Sequence, residues 1–202
     1  MSEYPQGSEG GLEARRGLLT ASNVGGAVGH CPFKTPEQVR AGEQPVSEAA
    51  RARMAHGTRW EAPVREWYEK KHGVRVDEVG LAVPKWDPRI GGSLDGQVRG
   101  ASKCIEIKCP QKMYWKVAQH VALPKAEKER LGRYHHAHIF DSHYDQMQTC
   151  MAITGNAMCD YVVAALTGER ADICVVSVPF NKTYWDDELY PLICAFLAPP
   201  ST

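Results

Sequence analysis

The run Gly91-Gly92-Ser93-Leu94-Asp95-Gly96, followed by Ile105-Glu106-Ile107-Lys108-Cys109-Pro110, constrains this chain more than any other segment. Residues 103–109 alternate apolar and charged after a glycine-containing turn. That is the period-2 pattern of a strand, so Glu106 and Lys108 project from the same side. A turn centred on Gly100-Ala101 pairs residues whose numbers sum to 201, which sets Asp95 opposite Glu106. Side chains so paired have Cβ atoms about 4.5–5.5 Å apart, and two carboxylates there repel unless one is protonated or a cation lies between them. Mg²⁺ or Mn²⁺, hard cations that prefer carboxylate and water oxygens, meet that demand. The same residues also fit an ordinary solvated hairpin with a charged outer face, and spacing alone leaves both readings open.

The chain has 202 residues, 43% hydrophobic and 24% charged, enough for a real core in one domain. Residues 1–14 are polar and glycine-rich with no apolar h-region, and read as a flexible leader to a domain over 15–202. No stretch reads as a membrane span. Seven cysteines, an odd number with no Cys-X-X-Cys pair, read as buried thiols of a reducing cytoplasm. His135, His136, His138 and His143 cluster without well-spaced partner ligands and read as a solvated loop.

Lys+Arg and Asp+Glu balance at 24 each, so no global field draws the chain to nucleic acid. Any attraction must be local. Residues 112–133 supply Lys112, Lys116, Lys125, Lys128, Arg130 and Arg133 against Glu127 and Glu129, interleaved with Tyr114 and Trp115. Such a stretch suits phosphate contacts with stacking, and equally suits an exposed helix and loop.

Thr20-Ala21-Ser22-Asn23 reads as a cap opening a short helix that ends in Gly25, Gly26 and Gly29. Ser47 opens a longer helical region that continues through Trp60, Val64 and Trp67 to Gly73. Strands are predicted at 74–83, 90–98 and 103–109, then a helical or irregular stretch over 112–140 and a helix at 142–155. Strands at 158–166 and 171–178 and a helix at 182–197 complete an α/β (α+β) arrangement, a central mixed sheet flanked by helices.

Five motifs in order carry a resemblance. Arg15-Arg16-Gly17-Leu18-Leu19-Thr20-Ala21-Ser22, Gly57-Thr58-Arg59-Trp60-Glu61, Ser93-Leu94-Asp95-Gly96, Glu106-Ile107-Lys108-Cys109-Pro110 and Tyr144-Asp145-Gln146-Met147-Gln148 together resemble the lambda-type exonucleases, or YqaJ-like viral recombinases. The resemblance implies a restriction-endonuclease-like PD-(D/E)XK core that degrades linear duplex DNA 5′ to 3′ with Mg²⁺, two ions per site. It further implies a toroidal homotrimer in a bacterial cytoplasm, and a single-strand annealing protein as partner for the 3′ overhang.

By the same resemblance Asp95, Glu106 and the Ile107 carbonyl hold metal, with Glu61 assisting, and Lys108 orients or activates the attacking water. Gln146 contacts the scissile or terminal phosphate. Arg15, Thr20 and Ser22 form the 5′-phosphate element, with Ser93 beside it. Locally, Thr58-X-X-Glu61 also fits a capping box, and Gln146 with Gln148 also fits the polar side of an amphipathic helix. The chain departs from the family where lambda exonuclease has a phosphate-binding arginine eight residues after its motif glutamate. Tyr114 stands there, with Lys112 and Lys116 as the expected substitutes. The segment between Lys108 and Gln146 is longer than in lambda exonuclease, and the loop near 120–140 within it is expected to touch DNA or a neighbouring subunit. A sequence-specific endonuclease and a non-catalytic DNA-binding module remain the alternatives.

Overall fold

The computed structural model describes residue 10 and residues 13–42, 47–127, 138–167 and 170–199. Most of the expected leader lies outside the described residues. So do Lys128, Glu129, Arg130, Arg133, His135 and His136 of the 112–140 stretch.

A five-stranded mixed sheet is the centre of the fold. Its strands are β2 (Val76–Asp77), β5 (Gly96–Val98), β6 (Lys103–Lys108), β7 (Met158–Thr167) and β8 (Arg170–Pro179), in that spatial order. β6 and β7 are parallel and the other neighbours antiparallel. A second sheet, β1-β4-β3, joins β1 (Leu19–Thr20), β4 (Ile90–Ser93) and β3 (Leu81–Ala82). Helix α1 is Ala21–Ala27, α2 Pro36–Arg40, α3 Glu48–His72, α4 Trp115–Ala122 and α5 Asp141–Thr154. At the end of the chain α6 (Lys182–Tyr184) runs through a π-helical turn (Trp185–Leu189) into α7 (Tyr190–Leu197).

The hairpin has the register that its spacing predicts. Gly96 faces Ile105 and Gln97 faces Cys104, both pairs summing to 201. The turn is made by Gly100 at φ 75°, a backbone region closed to most side chains. Two longer strands expected from the sequence are each broken. The 90–98 stretch divides at Leu94-Asp95, with β4 in one sheet and β5 in the other, and 74–83 divides likewise into β2 and β3. Asp95 therefore sits at the corner where the chain changes sheets.

Period-2 alternation on β6 serves two cores. Cys104 joins Met147, Cys150 and Met151 of α5 together with Leu94, Tyr161 and Val163. Ile105 and Ile107 join Val64 and Tyr68 of α3 with Val98, Val162 and Ala164. A third cluster, including Leu19, Val24, Ile90, Leu189 and Ile193, packs α1 and the C-terminal helices on the small sheet. Gly96 allows β2 to lie against this hairpin: a Cβ there would come within 2.2 Å of Val76 Cγ1 and 3.1 Å of Ile105. Gly96→Ala is expected to lower stability by about 1–3 kcal/mol through overpacking, read as a fall in the urea midpoint at constant slope.

α3 starts where Ser47 predicts it, the Ser47 side chain accepting from the Ala50 amide at 3.2 Å, and stops at Gly73 with φ 65°. Thr58 and Glu61 lie well inside this helix, so the capping-box reading of Thr58-X-X-Glu61 is excluded. Only Val64 and Tyr68 of α3 are buried, and its first turns extend beyond the core. The capping box the fold does contain is Thr35 with Gln38 at the start of α2, a helix not expected from the sequence.

Candidate active site

Glu106 and Lys108 project from β6 toward α5. Lys108 Nζ lies 2.7 Å from Glu106 Oε1, and Gln146 Nε2 donates to that same oxygen at 2.7 Å. Gln146 Oε1 accepts from Lys108 Nζ at 3.2 Å, closing a three-membered network. Asp95, 8% exposed, accepts the Ile107 amide on Oδ2 at 2.7 Å, which locks the carboxylate to the strand that bears Glu106. Lys108 is thus tied into the acid cluster, and the solvated-hairpin reading does not survive.

The electrostatics follow from crowding acids in a buried place. Burial, then the Asp95 charge, raises the Glu106 carboxyl to about 7, with Lys108 pulling the other way. Burial and Asp95 also raise Glu61 to about 7 against the pull of Lys108. For Lys108 burial opposes the charge, but Glu106 and Asp95 outweigh it and hold the ammonium above its ordinary range. Three carboxylates therefore feel one another around a single ammonium, although Glu61 comes from a helix on the opposite side of the sheet.

Two clefts are lined in part by residues of this cluster. The smaller, about 130 Å³, is lined by Arg15, Thr20, Ser22, Ser93, Asp95 and Gln146 among others. That space admits a group the size of a phosphate. Arg15 Nη2 donates to Ser93 Oγ at 2.9 Å. Thr20 Oγ1 lies 3.2 Å from Ser22 Oγ and accepts from Asn23 Nδ2 at 3.1 Å, while Lys34 donates to Asn23 Oδ1 at 2.9 Å. Thr20 precedes α1 in extended conformation but makes no side-chain cap bond, its hydroxyl being held in this network. The expected phosphate element is therefore brought together with Asp95 and Gln146. Lys34, behind it, was not anticipated.

The larger cleft, about 700 Å³, runs past Glu61, Lys108 and Cys109 to Tyr114, with Phe33, Arg53, Met54 and His56 along it. Arg53 and its neighbours were missed by the sequence reading. The signal was helical spacing: Ala50, Arg53, Gly57 and Glu61 recur at three and four on one face of α3.

Lys112 and Lys116 do not line either cleft. Lys116 donates to the Ile139 carbonyl at 3.2 Å and lies 3.8 Å from Asp141, which ties α4 to the start of α5. Lys112 is exposed. Tyr114 is half-buried, its ring edge-on to Phe140 at 5.2 Å and beside His143 at 5.6 Å, so it forms a wall of the cleft. His143 is likewise no solvated-loop residue. Its Nδ1 lies 2.7 Å from the Tyr161 hydroxyl, and burial with the Lys108 charge lowers its pKa to about 3, keeping the ring neutral. All seven cysteines are free, with Cys104, Cys150 and Cys159 buried and the other four half-buried, so the expectation of wholly buried thiols holds for three.

Asp95, Glu106 and Glu61 are hard oxygen donors linked electrostatically, with Asp95 bonded to the Ile107 backbone, and their chemistry suits Mg²⁺ or Mn²⁺ and not a soft metal. Among the described residues no three His, Cys, Asp or Glu side chains form a ready metal cage. A cation here would keep several positions for water and phosphate oxygen, as Mg²⁺ does. Also among the described residues, no helix is long and apolar enough to cross a membrane.

Two solved structures of an alkaline exonuclease (LHK-Exo) from Laribacter hongkongensis resemble this fold. One matches with TM-score 0.65 and 26% identity; the other, a complex with dAMP, with TM-score 0.66 and 28% identity. Each match covers 94% of this chain and 91% of the relative. The mixed α/β architecture with helices on both faces is that of these alkaline exonucleases, which are of the PD-(D/E)XK type. No curated protein sequence matches. Residues 12–157 match the YqaJ-like viral recombinase domain, a span that contains all five motifs and every residue of the acid cluster. The chain belongs to the YqaJ-like viral recombinase family.

Proposed function

We propose that this protein is a divalent-metal-dependent exonuclease that removes nucleotides from the 5′ end of linear duplex DNA and leaves a 3′ single strand. The observation that carries the reading is the small cleft in which Arg15, Ser22 and Ser93 share a wall with Asp95 and Gln146. A terminal phosphate held there lies next to the acid cluster, which favours cutting near an end over cutting within a duplex. The relative's complex with dAMP, a deoxynucleoside monophosphate, is consistent with mononucleotide release.

In this mechanism Arg15 forms charge-assisted hydrogen bonds to the phosphate, and the Thr20 and Ser22 hydroxyls fix its orientation without reading sequence. Asp95, Glu106 and the Ile107 carbonyl would hold Mg²⁺ or Mn²⁺, with Glu61 close to a second ion. Bound there, the cation lowers the pKa of water and offsets charge on the phosphate. Lys108, held beside Glu106 by Gln146, positions the attacking water and stabilises negative charge as the phosphorane forms. Gln146 keeps Lys108 and Glu106 at fixed separation and presents its amide to the phosphate. The reading extends to a homotrimer around the duplex in a bacterial cytoplasm, with a single-strand annealing protein receiving the 3′ strand. Light scattering of the purified chain tests the trimer.

The deciding experiment is a time course on linear duplexes with 5′-phosphate or 5′-hydroxyl ends and on closed circles, with Mg²⁺ or with EDTA. Loss of 5′-terminal label from linear DNA in Mg²⁺ alone, faster from phosphorylated ends, is the expected result. Cutting of circles indicates an endonuclease, and binding without hydrolysis indicates a non-catalytic module. Either result overturns the proposal.

A further inference from the structure

Asp145 has no part in the chemistry above, although it precedes Gln146 on α5 and belongs to the last sequence motif. It is wholly buried. Its Oδ1 accepts from the Tyr184 hydroxyl of α6 at 2.6 Å, and its Oδ2 lies 2.9 Å from His30 Nδ1. His30 is itself anchored to α1. Its amide and that of Cys31 donate to the Gly25 carbonyl at 2.7 and 3.0 Å. Gly25 in turn abuts α5 so closely that an added Cβ would stand 2.5 Å from Ser142 Cβ.

One helical turn further, the fully buried Gln148 donates to the Pro179 carbonyl at 3.0 Å and accepts the Asn181 amide at 2.8 Å. Residues 145 and 148, three apart, therefore tether one face of α5 to the α1 loop, to α6 and to the chain leaving β8. Gln146 lies about 100° round the helix from Asp145 and reaches Glu106 and Lys108 instead. Burying a carboxylate costs more than burying an apolar side chain of the same size. What Asp145 supplies in return is two directional contacts to segments distant in sequence.

We propose that Asp145, held by His30 and Tyr184, is a positioning residue. It registers α1 against α5, so that the hydroxyls of Thr20 and Ser22 and the amide of Gln146 meet across one cleft. The inference rests on the nuclease reading of that cleft. Misregistry weakens contacts made to the reacting phosphate and leaves most of the duplex contacts in place, so it lowers kcat more than it raises KM.

The test uses the full chain on linear duplex DNA in Mg²⁺, well below the melting temperature of every variant. His30→Ala and Tyr184→Phe each remove one contact to Asp145; the His30 side chain is 34% exposed, so its loss leaves the core packed. The expected result is a fall in kcat of about tenfold for each, with KM within about twofold. His30→Gln, whose amide can again donate to Asp145, restores most of the rate. Wild-type kcat in His30→Ala and Tyr184→Phe overturns the inference. Equal losses in His30→Gln and His30→Ala, or losses that track the unfolded fraction, do the same. Hydrolysis by the wild type with unaffected variants sinks this inference alone, whereas a wild type that does not hydrolyse DNA sinks the nuclease reading and this one with it.

Discussion

Asp95→Asn is expected to reduce hydrolysis of linear duplex DNA in Mg²⁺ by at least about a thousandfold, while the protein stays folded. The structure gives the reason for both halves of that result. Asp95 Oδ2 accepts the Ile107 amide at 2.7 Å, and an asparagine carbonyl oxygen can take the same bond, so the corner between β4 and β5 is kept. What disappears is the charge facing Glu106. Glu106→Gln is expected to lose as much, since it removes the second acid, and Lys108→Met likewise, since it removes the ammonium that Gln146 and Glu106 hold. Initial rates with a 5′-labelled duplex, alongside a circular dichroism melt, provide the check. If the Asp95→Asn or Lys108→Met protein retains more than about a tenth of the wild-type rate, the cluster is not the catalytic centre.

Removal of divalent metal is expected to make stability fall as pH rises. Glu106 and Glu61 both have folded-state values near 7, raised first by burial and then by Asp95, against 4.5 as the ordinary value. A carboxyl raised on folding binds its proton more tightly in the folded state. Its stabilising contribution is complete below about 4.5 and is lost as pH climbs through about 7. For the fully buried Glu106 the loss is on the order of a few kcal/mol. In EDTA, the melting temperature should therefore drop between pH 5 and pH 8, and Glu106→Gln should flatten that slope. Millimolar Mg²⁺ should raise the melting temperature most at pH 8, because a ligand stabilises the state that binds it and these carboxylates bind as anions. Activity should rise across the same interval, as Glu61 and Glu106 lose their protons. His143, lowered to about 3, does not titrate there. A melting temperature independent of pH from 5 to 8 in EDTA, with no response to Mg²⁺ at pH 8, would show that the acids are not crowded as described.

The elements that were legible in the sequence are those whose signal is local. Ser47 and Gly73 bound α3 because a cap hydroxyl and a left-handed glycine act within one turn of the helix end. The long strand expected over 90–98 was not legible as two pieces. Its break at Leu94-Asp95 arises from membership of two sheets, and nothing within the segment states which strands lie on either side. Arg53 and His56 were passed over because the first turns of α3 bury nothing, and the cleft they line is completed by Phe33 and by the end of β6. Lys112 and Lys116 were expected in the place of a missing arginine by nearness in sequence, but Lys116 is held by Ile139 and Asp141 and neither lysine lines a cleft.

By itself the sequence determined the hairpin. Alternation on β6 and the turn at Gly100 fix a register in which a one-residue slip would turn Glu106 and Lys108 to the other face, so Asp95 and Glu106 had to be neighbours. Only the tertiary structure decided what surrounds them. Glu61 shares the larger cleft with Lys108 and feels the Asp95 charge because Val64 and Tyr68, one and two turns on, pack α3 against Ile105 and Ile107. The smaller cleft forms because Gly25 lets α1 lie against α5 at Ser142, bringing Ser22 to Gln146 across a separation in sequence that no local pattern spans.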